Sequence, residues 1–455
     1  MFNQSIFHAY DVRGIYPEEI NEAAVKRIAS AYIAFLKQHK ELQIAVGRDV
    51  RTSSPSLQKA VIEGLTQAGV HVIDIGMGPT ELMYFAVGSL NLDGGIQVSA
   101  SHNPGEYNGL KMVRAGVEAL SADTGLADIK RLALGDQDLT ADQPGTVEAR
   151  SLETDYIYSI TKLVDLAKLP SLKIVANNNF GASGPVAKKA LQNLQAPVEL
   201  VELNFAPDGT FPKGRPDPLA PENRAETSME VKKNNADLGV AWDADGDRCY
   251  IADENGEFIE GCHLTALLAE HLLKKHHGER VIYEPRNIWA VEAAIKQNGG
   301  VPVMNKAGHT FIKNRMKQEG ALFGGEMSGH YYYRDFFNAD NGLLTFLYFL
   351  EIIAQSGQKV SEIAKPFRDK FFVSGEINFK VKDIQAAIDD VKKQFPDGQL
   401  DTTDGISLSF KDWRLNLRPS NTEPLLRLNV EALNRDDCLN RTNRLTEILR
   451  YHTAA

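Results

Sequence analysis

Leu238-Gly-Val-Ala-Trp242 runs directly into Asp243-Ala-Asp245-Gly-Asp247-Arg248. The apolar run reads as a buried strand and the acidic run as the loop at its end. Residues two apart on an extended chain point the same way, so three carboxylates converge where the strand gives out. Alone they would repel one another, and a hard divalent cation with a preference for oxygen, such as Mg²⁺, is the fitting neutraliser. A solvated acidic turn is the plain alternative, though carboxylates ending an apolar strand without a charge partner are rare. A calcium loop is the other rival, since Glu254 stands twelfth from Asp243. That loop needs glycine in sixth place and flanking helices; here the sixth residue is Arg248 and a strand precedes it.

The chain of 455 residues is too long for one hydrophobic core, and length alone suggests about three or four domains. A formal net charge of −10 argues against a nucleic-acid or anionic-membrane partner. It leaves room for a small anionic substrate, because local arginines can outweigh the global sign. Cys249, Cys262 and Cys438 have no metal-type or redox spacing, which suggests a reducing compartment. No basic segment followed by an apolar run opens the chain, so no secretory signal is expected. The longest apolar stretch, Leu343 to Ala354, contains Glu351 and is too short to span a bilayer. A cytoplasmic protein is expected.

Around the acidic loop, helix and strand patterns alternate. Glu19 to Lys40 has helical spacing, Leu42 to Val46 reads as a strand, Pro55 to Ala68 as a helix, Val70 to Ile75 as a strand, and Gly95 to Val98 as a short strand entering a loop. The rhythm restarts with strand Leu172 to Ala176, helix Gly184 to Leu194, strand Val198 to Leu203 and helix Glu226 to Lys233. It restarts again with helix His263 to His276, strand Val281 to Glu284, helix Ile288 to Gln297, strand Ala321 to Gly324 and a long buried helix Asn341 to Ala354. Such alternation implies mostly parallel sheets covered by helices. Polar residues 135–145 and the Pro- and Gly-rich residues 207–221 read as linkers. After residue 369 the pattern becomes α+β: a half-buried strand Phe371 to Val381, a helix Ile384 to Phe395, strands Ile406 to Phe410, Trp413 to Leu417 and Leu425 to Val430, and a closing helix Arg435 to Tyr451. The expected domains are 1–150, 151–256, 257–368 and 369–455.

Four further segments carry chemistry. Ser99-Ala-Ser101-His102-Asn103-Pro104 follows a strand end, where ligands gather in α/β sheets. It reads equally as an activated nucleophile or as an ordinary Ser/Asn/Pro turn. Lys111, downstream, is a cation beside that serine or a surface lysine, and Tyr10-Asp-Val-Arg13-Gly14 and Gly47-Arg48-Asp49 each place an arginine at a turn. Gly324-Gly-Glu326-Met327-Ser328-Gly329-His330 combines glycines that admit a ligand with side chains suited to vicinal sugar hydroxyls. Arg418-Pro419-Ser420-Asn421-Thr422-Glu423-Pro424, with Arg427, is an anion loop whose guanidinium forks match phosphate oxygens. Lys306-Ala-Gly308-His309 adds donors at an expected helix start, or is a capping turn. Neither a nucleotide P-loop nor a Gly-x-Ser-x-Gly elbow is present. A metal site, a candidate nucleophile, a hydroxyl reader and an anion clamp together suggest a ligand bearing both hydroxyls and phosphate.

In this order and spacing, the Ser-His-Asn-Pro, Asp-x-Asp-Gly-Asp-Arg, Gly-Glu-Met-Ser-Gly-His and Arg-Pro-Ser-Asn-Thr-Glu-Pro segments resemble the phosphohexomutase superfamily, in its bacterial phosphomannomutase/phosphoglucomutase branch. The resemblance covers essentially the whole chain. It implies three related α/β domains with mixed sheets and a C-terminal α+β domain around a central cleft. It makes Ser101 the phosphorylated serine, and Asp243, Asp245 and Asp247 the ligands of one Mg²⁺ per chain, joined by a Ser101 phosphate oxygen. Arg13, His102 and Lys111 match positive groups near the reacting phosphoryl. Tyr10, Arg248, Lys306, Gly308 and His309 match substrate contacts, and Arg286 stands where a lysine is frequent. Glu326, Met327, Ser328, Gly329 and His330 match the sugar-reading loop, and their Glu-Met-Ser form points to mannose and glucose. Arg418, Pro419, Ser420, Asn421, Thr422 and Arg427 match the loop for the non-reacting phosphate. Ser99, where threonine is common, and Gly105 depart from the usual pattern without touching the nucleophile.

The activity implied is phosphoryl transfer between the 1- and 6-positions of hexose phosphates by way of phosphoserine and a bound hexose 1,6-bisphosphate, in a monomer. Lys111 and His330 are the candidate proton carriers. A metal-dependent sugar-phosphate phosphatase explains the serine and metal but leaves the second phosphate clamp unused. A phosphoglucosamine mutase differs in the sugar loop, and a non-catalytic sugar-phosphate sensor would leave substrate unaltered.

Overall fold

A computed structural model describes residues 3–36, 42–135, 139–420 and 425–453. They form two compact units, residues 1–258 with 329–360 and residues 259–328 with 361–455.

In the first unit a mixed sheet runs in the order Val12–Ile15, Tyr107–Arg114, Gly94–Val98, Gln43–Arg48, His71–Met77, Val147–Ala149. The strands Gly94–Val98, Gln43–Arg48 and His71–Met77 are parallel, while Tyr107–Arg114 lies antiparallel between Gly94–Val98 and Val12–Ile15. The helices Glu22–Leu36 and Ser54–Gln67 put Val25, Ile28, Leu57 and Val61 into one core with Ile44, Val46 and Ile96. Arg48 and Val98 are register partners, so Asp49 and Ser99 leave neighbouring strands side by side. The carboxyl ends of parallel strands are where ligands bind in such sheets.

The second sheet of this unit runs Cys249–Asp253, Leu238–Trp242, Leu172–Asn177, Val198–Leu203, with only Cys249–Asp253 antiparallel. Every residue of Leu238–Trp242 is buried, as expected for a strand covered on both faces. Trp242 closes the strand: its indole donates to the Gly342 carbonyl at 3.3 Å and packs edge-on against Phe346 at 5.4 Å. Gly342 and Phe346 belong to the helix Gly342–Ser356, whose first turn is capped by the Asn341 side chain accepting from Leu344 N.

In the second unit Arg280–Tyr283, Val301–Met304 and Phe323–Gly325 pair in parallel. An antiparallel sheet follows, containing Gln399–Asp401, Ile406–Ser409, Trp413–Pro419 and Leu426–Ala432. Helices Ile384–Gln394 and Arg435–Tyr451 pack on it around Leu415, Leu417, Leu428 and Val430. The mixed α/β sheets and the terminal α+β sheet are the architecture expected from sequence. Among the described residues no helix is long and apolar enough to cross a membrane.

Three expectations are corrected. The run Phe371 to Val381 is two strands, Phe372–Val373 and Ile377–Phe379, each paired with Leu426–Ala432. Gly375, at φ 70°, turns the chain between them. The helix expected from Glu226 begins at Pro221, because a proline read as loop occupies the first helical turn, where its missing N–H costs nothing. Lys111 lies inside the strand Tyr107–Arg114 and is buried, against its reading as a surface lysine.

Candidate active site

The first unit gathers the serine loop and the acidic loop. The Ser101 hydroxyl donates to Asp243 Oδ2 at 2.6 Å and lies 3.3 Å from His102 Nδ1. Ser101 is 2% exposed and has φ 50°, a left-handed conformation that non-glycine residues adopt at a cost. The Ser99 hydroxyl accepts from Ser101 N at 2.9 Å and donates to Asp245 Oδ2 at 2.9 Å, tying the two loops together. Thr80, at the start of the helix Thr80–Ser89, donates to the same Oδ2 at 2.7 Å.

The three aspartates are buried, with ligand atoms within 4.8 Å of one another. Gly246 makes the turn between them at φ 80°, and a Cβ there would fall 1.7 Å from Ser183 Oγ. Lys111 supplies the balancing charge: its ammonium donates to Asp245 at 2.6 Å and also pairs with Asp247. His330 Nε2 lies 3.3 Å from Asp247 Oδ1. Arg248 Nε lies 3.4 Å from the His330 ring and 3.8 Å from Asp243.

Burial, followed by the Asp247 and Asp245 charges, pushes the Asp243 carboxyl well up. Burial also works against Asp247, but Lys111, His330 and Arg248 outweigh it and hold that carboxyl well below the usual range. Lys111 loses hydration on burial, yet the three aspartates raise its pKa. Burial and then the Arg248 and Arg13 charges push the His102 imidazole well below its usual pKa, against its reading as a positive group. Arg13 donates to Asn103 Oδ1 at 2.6 Å and pairs with Asp11.

This donor set fits a small divalent cation. It is built of oxygens, it carries more carboxylates than Lys111 alone can balance, and Asp245 Oδ1 is a buried acceptor with no hydrogen-bond partner among the described residues.

The second unit holds the remaining candidates. Glu326 Oε1 accepts from Gly308 N at 2.7 Å, and Met327 N donates to Glu284 at 3.2 Å. Gly308 caps the helix His309–Glu319, so the expected helix start is there. The Lys306 ammonium lies over the Phe311 ring at 3.4 Å. Arg286, Arg418 and Arg427 converge on one carboxylate, Glu376. Pro419 ends its strand, and Ser420 N donates to Leu425 O at 2.8 Å, whereas Asn421 and Thr422 lie outside the described residues. The boundary between units falls inside the sugar-loop motif, with Glu326, Met327 and Ser328 in the second unit and Gly329 and His330 in the first. Tyr10 stands in the bend before the strand Val12–Ile15.

Sequence reasoning missed Thr80, Asp49, Arg51, Glu284 and Glu376. The Gly47-Arg48-Asp49 motif was a signal, but its working pair is Asp49 with Arg51. Both are fully buried and joined at 3.0 Å. Arg51 donates to the carbonyls of Ser101 and Asn103 at 2.7 Å each, of Pro104 at 2.5 Å and of Tyr107 at 3.0 Å, and so holds the serine loop.

Comparison with known proteins matches the same segments. Sequence models described as phosphoglucomutase/phosphomannomutase alpha/beta/alpha domains I, II and III match residues 4–132, 154–256 and 260–371, and the model of the family's C-terminal domain matches 376–442. A phosphomannomutase of Salmonella montevideo is 46% identical over 95% of this chain and 96% of its own. A protein of Xanthomonas campestris pv. campestris described as "Phosphohexose mutases" is 43% identical over 98% and 99%. The crystal structure of a phosphoglucomutase/phosphomannomutase family protein from Burkholderia thailandensis superposes with a TM-score of 0.88 at 30% identity, covering 100% of this chain and 99% of that one. With four family domains matched in order along a serine loop and an acidic loop that meet, the chain belongs to the phosphoglucomutase/phosphomannomutase family.

Proposed function

We propose that Ser101 carries the phosphoryl group in a reversible transfer between the 1- and 6-positions of hexose phosphates. The observation that carries this reading is the buried Ser101 hydroxyl directed at 2.6 Å into the aspartate trio. The enzyme is a phosphomutase, hence an isomerase. Asp243, Asp245 and Asp247, with a phosphoserine oxygen, would hold one Mg²⁺, which offers positive charge to the phosphoryl oxygens.

In the first half-reaction the bond from phosphorus to Ser101 Oγ breaks and a bond to the free sugar hydroxyl forms. The hydroxyl proton passes to His330, while the departing Ser101 Oγ takes a proton from the Lys111 ammonium, which Asp245 and Asp247 keep protonated and so unable to accept one. The product is a 1,6-bisphosphate, and both protons return in the second half-reaction. After the bisphosphate reverses, Ser101 Oγ attacks the other phosphoryl group and the ester to the sugar breaks. Arg13, His102 and Lys111 stabilise the equatorial oxygens of a loose transition state. Arg418, Arg427 and Arg286, with Ser420 and backbone donors, take the phosphate that is not reacting. Tyr10, Arg248, Lys306 and His309 line the substrate, and Glu326, Met327 and Ser328 read mannose and glucose. The same reading makes residues 1–150, 151–256, 257–368 and 369–455 four domains of a cytoplasmic monomer.

The test is a coupled assay on mannose 1-phosphate and glucose 1-phosphate with hexose 1,6-bisphosphate present, together with mass spectrometry of the Ser101 peptide. Turnover of both sugars, a phosphate on Ser101, and loss of both in Ser101→Ala are expected. Full turnover by Ser101→Ala would end the proposal, and activity on amino-sugar phosphates alone would end the sugar assignment.

A further inference from the structure

Glu376 stands at the break between Phe372–Val373 and Ile377–Phe379, just after the turn at Gly375. Its carboxylate meets three guanidiniums: Arg286 at 3.2 Å and Arg418 at 3.4 Å on Oε2, and Arg427 at 3.3 Å on Oε1. Arg418 and Arg427 are register partners on adjacent antiparallel strands. Like charges placed opposite each other in that way are destabilising, so an anion between them is needed for the strands to pair well. Burial opposes ionisation of Glu376, yet Arg286, Arg427 and Arg418 hold its carboxyl below the usual value.

The three guanidiniums are already matched by three carboxylates. Glu284 holds Arg286 at 2.7 Å, Asp404 lies 3.8 Å from Arg418, and Glu376 touches all three arginines. A phosphate entering this group finds its positive charge already balanced, with Glu326 adding further negative field at Arg286, and gains strongly only by replacing one carboxylate. Glu284 is tied to the backbone N–H groups of Arg286 and Met327, and Asp404 to that of Ala307. Glu376 is tied to no backbone group among the described residues, and its side chain is 24% exposed. It is the carboxylate that can leave. Moreover, the Arg418 Nε–H is buried and has no acceptor among the described residues. A carboxylate with two oxygens leaves that donor unmet, whereas a phosphate monoester brings three oxygens and more charge.

We propose that Glu376 is a resident stand-in for the non-reacting phosphate. It keeps the three arginines together when no substrate is bound and yields its place when phosphate arrives. This inference rests on the reading of Arg286, Arg418 and Arg427 as the phosphate site. It gives that site a needed property. The bisphosphate must release one end and offer the other during each catalytic cycle, and a competing carboxylate keeps the release fast.

The experiment measures inorganic phosphate binding to the full-length, Mg²⁺-supplemented enzyme by calorimetry and as inhibition of turnover, in wild type, Glu376→Gln and Glu376→Asp. Glu376→Gln should bind phosphate about tenfold tighter, with a lower KM for hexose phosphate and a lower kcat. Glu376→Asp, which keeps the charge but shortens the reach, should shift the same way by about threefold and covers the case in which the glutamine variant fails to fold. Unchanged or weaker phosphate binding in the folded variants would make Glu376 a scaffold and overturn the proposal. Arg418→Gln separates the two readings: if it binds phosphate as wild type does, the phosphate-site assignment falls whatever Glu376 does.

Discussion

Replacing Arg51 should damage turnover out of proportion to substrate binding. The side chain is fully buried and makes five hydrogen bonds, one to Asp49 and four to the carbonyls of the serine loop and its exit. Lysine keeps the charge but has three donors on one nitrogen, so at best it retains Asp49 and two carbonyls. Two bonds of about 1.5 kcal/mol each are then lost, or about 3 kcal/mol in all. At about 2 °C per kcal/mol for a large domain, Arg51→Lys should melt about 5 °C or more below wild type. Freed from its anchor, Ser101 no longer holds its aim, and a displacement of about 1 Å can cost about a hundredfold in rate. A kcat lower by about that factor is expected, with KM for hexose 1-phosphate changed by less than about twofold, since the proposed phosphate-binding arginines are untouched. Arg51→Met leaves Asp49 charged and buried and should cost about 3–5 kcal/mol from the broken pair alone. Asp49→Asn with Arg51→Met removes both charges and should be more stable than Arg51→Met by itself, a coupling visible in a double-mutant cycle. Wild-type kcat in Arg51→Lys, or strictly additive losses at Asp49 and Arg51, would refute this reasoning.

Lys111→Met strips the aspartate trio of its nearest cation, so it should abolish turnover and lower the melting temperature in EDTA. Part of the lost stability should return with Mg²⁺, and wild type should gain less from the ion; equal gains would contradict the shared neutralisation of Asp245 and Asp247. His263 is buried, contacts the Phe371 carbonyl at 3.0 Å and stacks on Phe367, and burial lowers its pKa to about 4. The unfolded chain takes up that proton near pH 6.5 and the folded chain near pH 4, so stability should fall by about 3 kcal/mol as pH drops across this window. His263→Asn should flatten the pH dependence of the urea midpoint; an unchanged slope would show that another group titrates. Exchanging Glu326 for Gln should weaken hexose-phosphate binding more than inorganic phosphate binding, because Glu326 accepts from Gly308 N beside the glycine-rich loop; calorimetry showing equal losses for both ligands would contradict a sugar-reading role.

What the sequence made legible was whatever one segment settles by itself. The strand Val198–Leu203 and the helix Arg435–Tyr451 have the bounds their periodicity gives, the latter with Asn434 capping its first turn. The acidic loop was readable because an apolar strand ending in three alternating carboxylates needs a counter-charge. Its counter-charge is only half readable: the sequence offers Lys111 as a cation beside the serine or a surface lysine and does not pair it with the aspartates. Lys111 is 134 positions from Asp245 and is buried only because that carboxylate waits for it, so its local context resembles that of any surface lysine. Arg51 is similar: its partners are backbone carbonyls some fifty residues on, and a carbonyl has no signature in the sequence. Glu376 was hidden by a pattern that was itself misread, since alternation across residues 371–381 continues through Gly375 as though the strand did. These three have one cause. A buried charge is placed by partners distant in sequence, and burying it without them costs several kcal/mol, so its position is a property of the assembled fold. Motif reading therefore finds the loops that carry chemical groups and passes over most of the buried charges that hold those loops in place. Of those charges, Arg51 fixes the Ser101 loop, while Glu376 is proposed to give way; the first should respond to substitution with a loss of rate and the second with a gain in phosphate affinity.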